Sequence, residues 1–430
     1  MAHLVLVESR LTAGFGLLRE AVALGHEVTL VAHSVRPYLR SEGAGADLAH
    51  ATRVLEGITT GDAEALGAAL EALHRDHPVD GVLTLSEPHL RCTAEAAARL
   101  GVPYEPPGTS VRLRDKHTVR TLLEKAGVPQ PDFRLALTAE EAVAAAGELG
   151  YPVVVKPTDG SGKLGVGVAH YPGEVARIAE QTFEARDYGR SIVGAGRVLV
   201  ERYVPGPVVS CEMLTVDGRH HFYGCTDRVL APPPYPVELG GCFPAELSPE
   251  QLEAVVAVTG AALDAVGVTR SHTHTELVLG PDGPQIIEVN GRLVGGFVPE
   301  MMNLVLGHDV YHDAIDLALG GSPVPAPTSG VACIRAVVAR ESGVLTGIDL
   351  EGARSAPGVA RVLLDAEPGE HVRPARVNAE RLGFLIATGA SAAEATAAAR
   401  AALDRVVLRV TPGEGDPRTA AAASPHEGGV

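Results

Sequence analysis

Positive charge is scarce in this chain. Its 430 residues carry 36 Lys and Arg against 53 Asp and Glu, a formal net charge of -17, which argues against nucleic acid or an anionic membrane surface as the main partner. Cysteine is scarce too: Cys92, Cys211, Cys225, Cys242 and Cys333 show no C-x-x-C pair and no even framework. Neither structural zinc nor a disulfide scaffold is expected, and the compartment reads as reducing and cytoplasmic. No stretch reaches about 18 uncharged apolar residues, and MAHLVLVESR lacks a basic segment followed by a long apolar run, so neither a membrane span nor an export signal is expected. What the chain does have is globular bulk, with 46% hydrophobic and 21% charged residues over a length that suits two to four domains.

Two familiar phosphate-binding motifs are also missing. In KPTDGSGKLGVG (156–167) the P-loop pattern fails at Pro157, where its first glycine would stand, and at Leu164, where its hydroxyl would stand. Gly14 and Gly16 begin a dinucleotide fingerprint that Arg19 interrupts. The glycine run lies between two strand-like segments, YPVVVKP and GVGVAHY, so it reads as a β-hairpin loop whose amides and lysine can close over phosphates. Upstream, HLVLVES, FGLLREAVALG and HEVTLVA form a βαβ pattern, and residues 1–103 read as a doubly wound α/β domain. Pro103, Pro106 and Pro107 mark a boundary. Residues 104–190 then read as a linker helix and lid subdomain, 191–325 as a metal and substrate subdomain, 326–411 as a C-terminal α/β domain, and 412–430 as a disordered tail.

The chemistry concentrates in HTHTELVLGPDGPQIIEVNGR. Pro284 cannot donate to a ladder, which suggests a five-residue loop over 280–284 with Leu279 opposite Gln285. Glu276 then faces Glu288 and His274 faces Asn290, while Leu277, Leu279, Ile287 and Val289 lie mainly on the other face. Facing carboxylates repel unless a cation separates them. Glu276, Glu288 and Asn290 suit a hard divalent ion, Mg2+ or Mn2+, whose remaining ligands include phosphate oxygens. Arg292, two residues on, can clamp a carboxylate or a phosphoryl group. Lys116 and Lys156 are further basic candidates, and Lys156, ending an apolar strand, needs an anion to meet. His272 and His274 are both candidates for the base.

Taken in order, R-D-K-x-x-x-R (114–120), AGVPQP, YPVVVKPTDGSGKLGV, VLVERYVPG, THTEL and IIEVNGRLVGG resemble the ATP-grasp superfamily over roughly residues 1–325. GCTDRVLAPPPYPVELGGCFPAEL and the C-terminal ESGVLTGIDLEGARSAPGVARVLLDAEPGEHVRP and RLGFLIATGASAAEATAAARAAL are similar to the L-amino acid ligase branch, the bacilysin-type dipeptide synthetases. The resemblance implies an α/β ATP-grasp fold, α+β in its nucleotide module, with ATP and Mg2+ as cofactors and a homodimeric ligase joining a small carboxylate to an amine. It implies that Lys116 and Lys156 meet ATP phosphates, and that Gly160, Ser161, Gly162, Lys163 and Gly165 belong to the lid. Glu201, Arg202 and Val204 would lie at the adenine hinge, with the Glu201 side chain on the base edge. Glu276, Glu288 and Asn290 would hold the metal, and Arg292 would stabilise the acyl phosphate. Two positions depart from the pattern. Val208 stands where relatives place a ribose-binding glutamate, so that either Glu212 substitutes or the ribose is held loosely, and Gly240-Gly241 replaces a Gly-His pair in the PPPY loop. Enzymes activating bicarbonate or formate, and a catalytically silent ATP-binding protein, remain the alternatives.

Overall fold

A computed structural model describes residues 1–8, 13–40, 44–161, 165–184, 192–232, 237–364 and 366–412. Gly162 and Lys163 of the lid, the centre of the PPPY loop and nearly all of the expected tail fall outside the described residues. The chain divides into two units, one of Met1–Asp227 with Phe243–Ser329 and one of Arg228–Cys242 with Gly330–Val430.

The first unit begins with the expected parallel sheet. Strands β1 (His3–Val7), β2 (Glu27–Ala32), β3 (Arg53–Glu56) and β4 (Gly81–Leu83) lie in the order β3-β2-β1-β4. Their Val5, Val7, Val31 and Val82 pack against Leu66, Leu70 and Ala96 of flanking helices. A 3-10 turn, Glu87–His89, follows β4. It sits beyond the carboxyl end of the sheet, where doubly wound folds place ligand-facing residues.

A second sheet contains β5 (Phe133–Ala136), β6 (Val153–Pro157), β7 (Gly167–Ala169) and β8 (Val198–Arg202), ordered β5-β8-β6-β7. β6 and β7 are antiparallel with Val155 opposite Gly167, so the glycine run does connect a hairpin. In the third sheet, β9 (Val208–Val216) and β10 (Arg219–Asp227) turn through Asp217 and Gly218, both at positive φ (49° and 76°). That pair of angles marks the I′ type of turn, which matches strand twist. After β11 (Val229–Leu230) and β12 (Glu238–Phe243), which pair with each other in another sheet, the chain returns as β13 (Ser271–Gly280) and β14 (Gly283–Asn290). The order is β10-β9-β13-β14. Helix Pro249–Val266 covers the apolar face with Val255, Leu263 and Val266 against Leu277, Ile286 and Val289. Ser248 and Gln251 close a capping box at its start, and Gly267 at φ 80° ends it.

The β13–β14 hairpin reaches the expected register by an unexpected route. Gly280 pairs with Gly283, so the loop is only Pro281-Asp282, and Pro284 rather than Gln285 faces Leu279. A register shift between Glu276 and Leu277 then inserts Ile287 as an extra residue and brings Glu288 opposite Glu276 and Asn290 opposite His274. β14 is an edge strand, where a proline without an N–H is tolerated. The same bulge puts Ile286, not Ile287, in the core.

The second unit holds β15 (Val331–Val337), β16 (Gly343–Asp349), β17 (Val359–Leu364), β18 (His371–Val372), β19 (Gly383–Gly389) and β20 (Val407–Thr411) in sheets β11-β12-β15-β19-β17 and β18-β16-β20. The alanine-rich helix Ala392–Leu403 packs Ala399 and Ala402 against Leu385 and Ala387. Here the cysteine expectation is corrected: Cys242 and Cys333 form a disulfide. They lie 91 residues apart on neighbouring strands, so sheet order joins them and chain spacing carries no sign of it. Cys92, Cys211 and Cys225 are free and buried. No helix among the described residues is long and apolar enough to cross a membrane.

Candidate active site

The strand ends of the second sheet and the β13–β14 hairpin meet around Arg120. This residue lies on helix Lys116–Ala126, whose start is fixed by Asp115 accepting from the Thr118 amide. Its guanidinium is only 2% exposed and donates to Glu201 (2.6 Å), to the Ile286 carbonyl (2.7 Å) and to the Ile287 carbonyl (2.7 Å). Arg120 thus grips the bulge that sets the carboxylate register. Lys156 at the end of β6 is 2.8 Å from the other Glu201 oxygen. Burial alone would raise the Glu201 pKa, but Arg120 and Lys156 outweigh it and hold the carboxyl below its usual range. Burial likewise lowers the Lys156 pKa, with Glu201 opposing.

These contacts revise two expectations. The anion met by Lys156 is Glu201, and the Glu201 side chain is committed to two cations instead of an adenine edge. Arg202 is exposed and paired with Asp132 (3.0 Å), and Val204 follows, half-buried. The Arg202 and Tyr203 amides are likewise engaged, with the Asp132 and Pro152 carbonyls (2.9 and 3.1 Å).

On the hairpin, Glu276 and Glu288 are opposite one another and Asn290 is buried beside them in register. Each carboxylate has a cationic neighbour. Lys116 lies 2.9 Å from Glu288 and donates to the Gly160 carbonyl (2.6 Å), linking the start of the glycine loop to the hairpin. Burial works against the Lys116 ammonium, but Glu288 and Glu87 prevail and hold its pKa above the usual value. Ser161 is half-buried after Gly160, and Gly165 takes the left-handed φ of 70° on the return toward β7. No cluster of three or more His, Cys, Asp or Glu among the described residues could hold a metal alone. Two carboxylates and an amide oxygen fit Mg2+ in its common mode, in which water and substrate phosphates complete the shell.

His274 is not free to act as a base. Its Nδ1 is 2.9 Å from Glu212 and its Nε2 is 3.4 Å from Glu276, so both ring nitrogens face carboxylates. Burial opposes its charge, yet Glu212 and Glu276 raise its pKa to about 9. The same geometry removes Glu212 from the ribose role, since it is buried and bonded to Ser210 (2.7 Å) and His274.

Arg292 follows β14. Its guanidinium is buried, with one amino group 3.1 Å from the Leu293 carbonyl and the other 3.4 Å from Glu87. Its Nε has no partner among the described residues. A buried donor without an acceptor carries a cost of about 1–3 kcal/mol, which an incoming oxygen would relieve. Glu87, from the turn after β4, is also ion-paired to Arg114 and so ties Arg292 to the first sheet. At Gly291 an added Cβ would lie 2.5 Å from the tip of the Leu113 side chain, which would have to turn away. Arg292 lines a cavity with Leu83, Leu85, Glu105, His272 and Leu317.

Sequence reasoning missed Glu87 and did not assign Arg120, although Arg120 closes the R-D-K-x-x-x-R motif. Glu87 had no local signal, since its partners lie in distant segments. Among family models, an ATP-grasp N-terminal domain matches residues 18–104, and ATP-grasp domains match 109–161 and 149–300. The chain belongs to the ATP-grasp superfamily. Residues 335–411 of this ATP-grasp protein match the L-amino acid ligase C-terminal domain 2. The fold resembles the L-amino acid ligase from Bacillus licheniformis, with a TM-score of 0.81 over 96% of this chain and 99% of that one at 24% identity. Carnosine synthase 1 of Gallus gallus is 25% identical over 76% of this chain, which spans 35% of that protein. Formate-dependent phosphoribosylglycinamide formyltransferase of Solidesulfovibrio magneticus is 29% identical over 81% of this chain and 84% of that protein.

Proposed function

We propose that this ATP-grasp protein is a carboxylate-amine ligase that joins an amino acid or small carboxylic acid to an amine, in particular a second amino acid. The observation that carries the reading is Arg292, two residues beyond Asn290, which lines a cavity and whose buried Nε has no partner among the described residues. The ligase-type C-terminal module and the likeness to carnosine synthase support it.

In the proposed reaction a carboxylate oxygen attacks the γ-phosphorus of ATP, the bond to ADP breaks, and an acyl phosphate forms. The amine nitrogen then bonds to the acyl carbon and phosphate leaves. Arg292 supplies donors to the oxygens on which charge develops. Lys116, at the junction of Glu288 and the glycine loop, is placed to follow a phosphate, while Lys156 and Arg120 hold the surrounding frame. Gly160 to Gly167 serve as the lid. Glu276, Glu288 and Asn290 would hold Mg2+, which when bound neutralises phosphate charge and orients the transferring group.

Incubation with ATP, Mg2+ and hydroxylamine tests the reading. Hydroxamate that depends on an amino acid supports it. ADP release that depends on bicarbonate or formate would support the alternative suggested by the formyltransferase likeness, and no turnover on any acid would leave a silent nucleotide binder. We also expect a homodimer, with a solution mass twice the 44.5 kDa of one chain.

A further inference from the structure

We propose that His272 is the general base that takes the proton from the amine nucleophile, with Tyr223 and Asp313 fixing its tautomer. The inference rests on the ligase reading above and adds a residue to it. His272 lies on β13 and lines the cavity that holds Arg292, so a base and the cation meant for the acyl group share one enclosure. Behind it stands a buried chain of polar groups. Tyr223 donates its hydroxyl proton to Asp313 (2.7 Å), and His272 Nε2 lies 3.2 Å from the same hydroxyl oxygen. A phenol has one proton to give. With that proton on Asp313, His272 Nε2 must be the donor to Tyr223, which leaves the lone pair on Nδ1.

The rings reinforce the assignment. Tyr223 stacks on His272 with centroids 5.8 Å apart and planes 13° apart, and on His308 at 6.4 Å and 22°. His308 in turn places Nε2 2.7 Å from Asp313. Burial keeps His272 neutral, lowering its pKa to about 4, and the charge of Asp313 acts the other way. A neutral imidazole is the form that can accept a proton. Arg292, Arg270 and Glu105 are the other charged groups on the cavity wall. Arg270 and Glu105 are engaged elsewhere, Arg270 with the Leu317 and Gly321 carbonyls and Glu105 with the Thr269 and Arg270 amides. When the carbon-nitrogen bond forms and phosphate departs with the electron pair of the carbon-oxygen bond, the surplus proton on nitrogen passes to His272 Nδ1. The imidazolium keeps its Nε2 proton on Tyr223, with the Asp313 carboxylate one residue beyond to offset the charge. His272 is the catalytic residue here; Tyr223 and Asp313 position it.

The test separates a base from a packing residue by changing the nucleophile. Hydroxylamine is unprotonated at neutral pH and sheds its proton to water readily, so acyl transfer to it should not need His272. Wild type and His272→Gln are incubated with ATP, Mg2+ and each proteinogenic L-amino acid, with and without hydroxylamine. The expected result is a fall of about 10²-fold in dipeptide formation, with hydroxamate formation changed by less than about threefold. Tyr223→Phe, which keeps the ring stack, should show the same selective loss to a smaller degree. Equal losses of dipeptide and hydroxamate, or no loss of either, overturn the role of His272. Absence of hydroxamate in the wild type with every amino acid, and with a panel of small carboxylic acids in the same assay, instead removes the ligase reading itself, and this inference with it.

Discussion

Two charged regions lie close together in the first unit and are built on opposite plans. Around Arg120, Lys156 and Glu201, every charge has a short contact to an opposite charge or a carbonyl. Around Arg292 and His272, a guanidinium nitrogen lacks a partner among the described residues and a histidine is kept neutral beside a cavity. The difference teaches which groups to suspect of chemistry. A cation whose hydrogen bonds are complete fixes positions, whereas a buried group with an unused donor or lone pair has something left to offer a substrate.

The comparison can be broken most forcefully at the carboxylate pair. Removing divalent ions with EDTA should abolish ADP release and leave the unfolding temperature within a few degrees, because the Arg120 cluster needs no metal; restoration by Mg2+ or Mn2+ completes the test. Next in size, Arg292→Ala should lower turnover by about 10³-fold while the affinity for a non-hydrolysable ATP analogue changes by less than about tenfold. Near-normal turnover in that variant would remove Arg292 from the chemistry. Arg120→Met should act on stability first, costing about 3–5 kcal/mol in a denaturant titration, since it deprives buried Glu201 of a partner and releases the bulge. A loss under about 1 kcal/mol would show that Lys156 alone suffices.

The smallest effect contrasts the two histidines of β13. The folded-state pKa of His274 is raised from 6.5 to about 9, so its stabilisation is complete below pH 6.5 and disappears as pH rises toward 9. That of His272 is lowered from 6.5 to about 4, so protonation of the unfolded chain erodes stability as pH falls from 6.5 toward 4. In metal-free protein, His274→Gln should flatten the alkaline limb and His272→Gln the acid limb, each by on the order of 3 kcal/mol. Unchanged limbs would refute the opposed charge states.

Much of this was legible in the chain. Placing Pro284 in the turn set Glu276 opposite Glu288, and the strand-like segments on either side of the glycine run in KPTDGSGKLGVG marked it as a hairpin connection. The register was right for a partly wrong reason, because a shorter turn and a bulge cancel one another. Patterning reports which face a residue occupies; it does not report an extra residue absorbed mid-strand. What stayed hidden depends on tertiary partners. The commitment of Glu201, the captivity of His274 and the Cys242–Cys333 bond all arise between segments far apart in sequence. No local spacing encodes them.

The grip of Arg120 on the bulge has a temporal side. The carbonyl of Ile286 lies 166 residues after the guanidinium that holds it, and Glu201 lies 81 residues after. During synthesis at about 5–20 residues per second, helix Lys116–Ala126 must wait roughly ten to thirty seconds before the hairpin emerges. Glu201 arrives first and can shelter the charge. The carboxylate pair is then among the last features of the first unit to be assembled, docking onto a clamp made long before it.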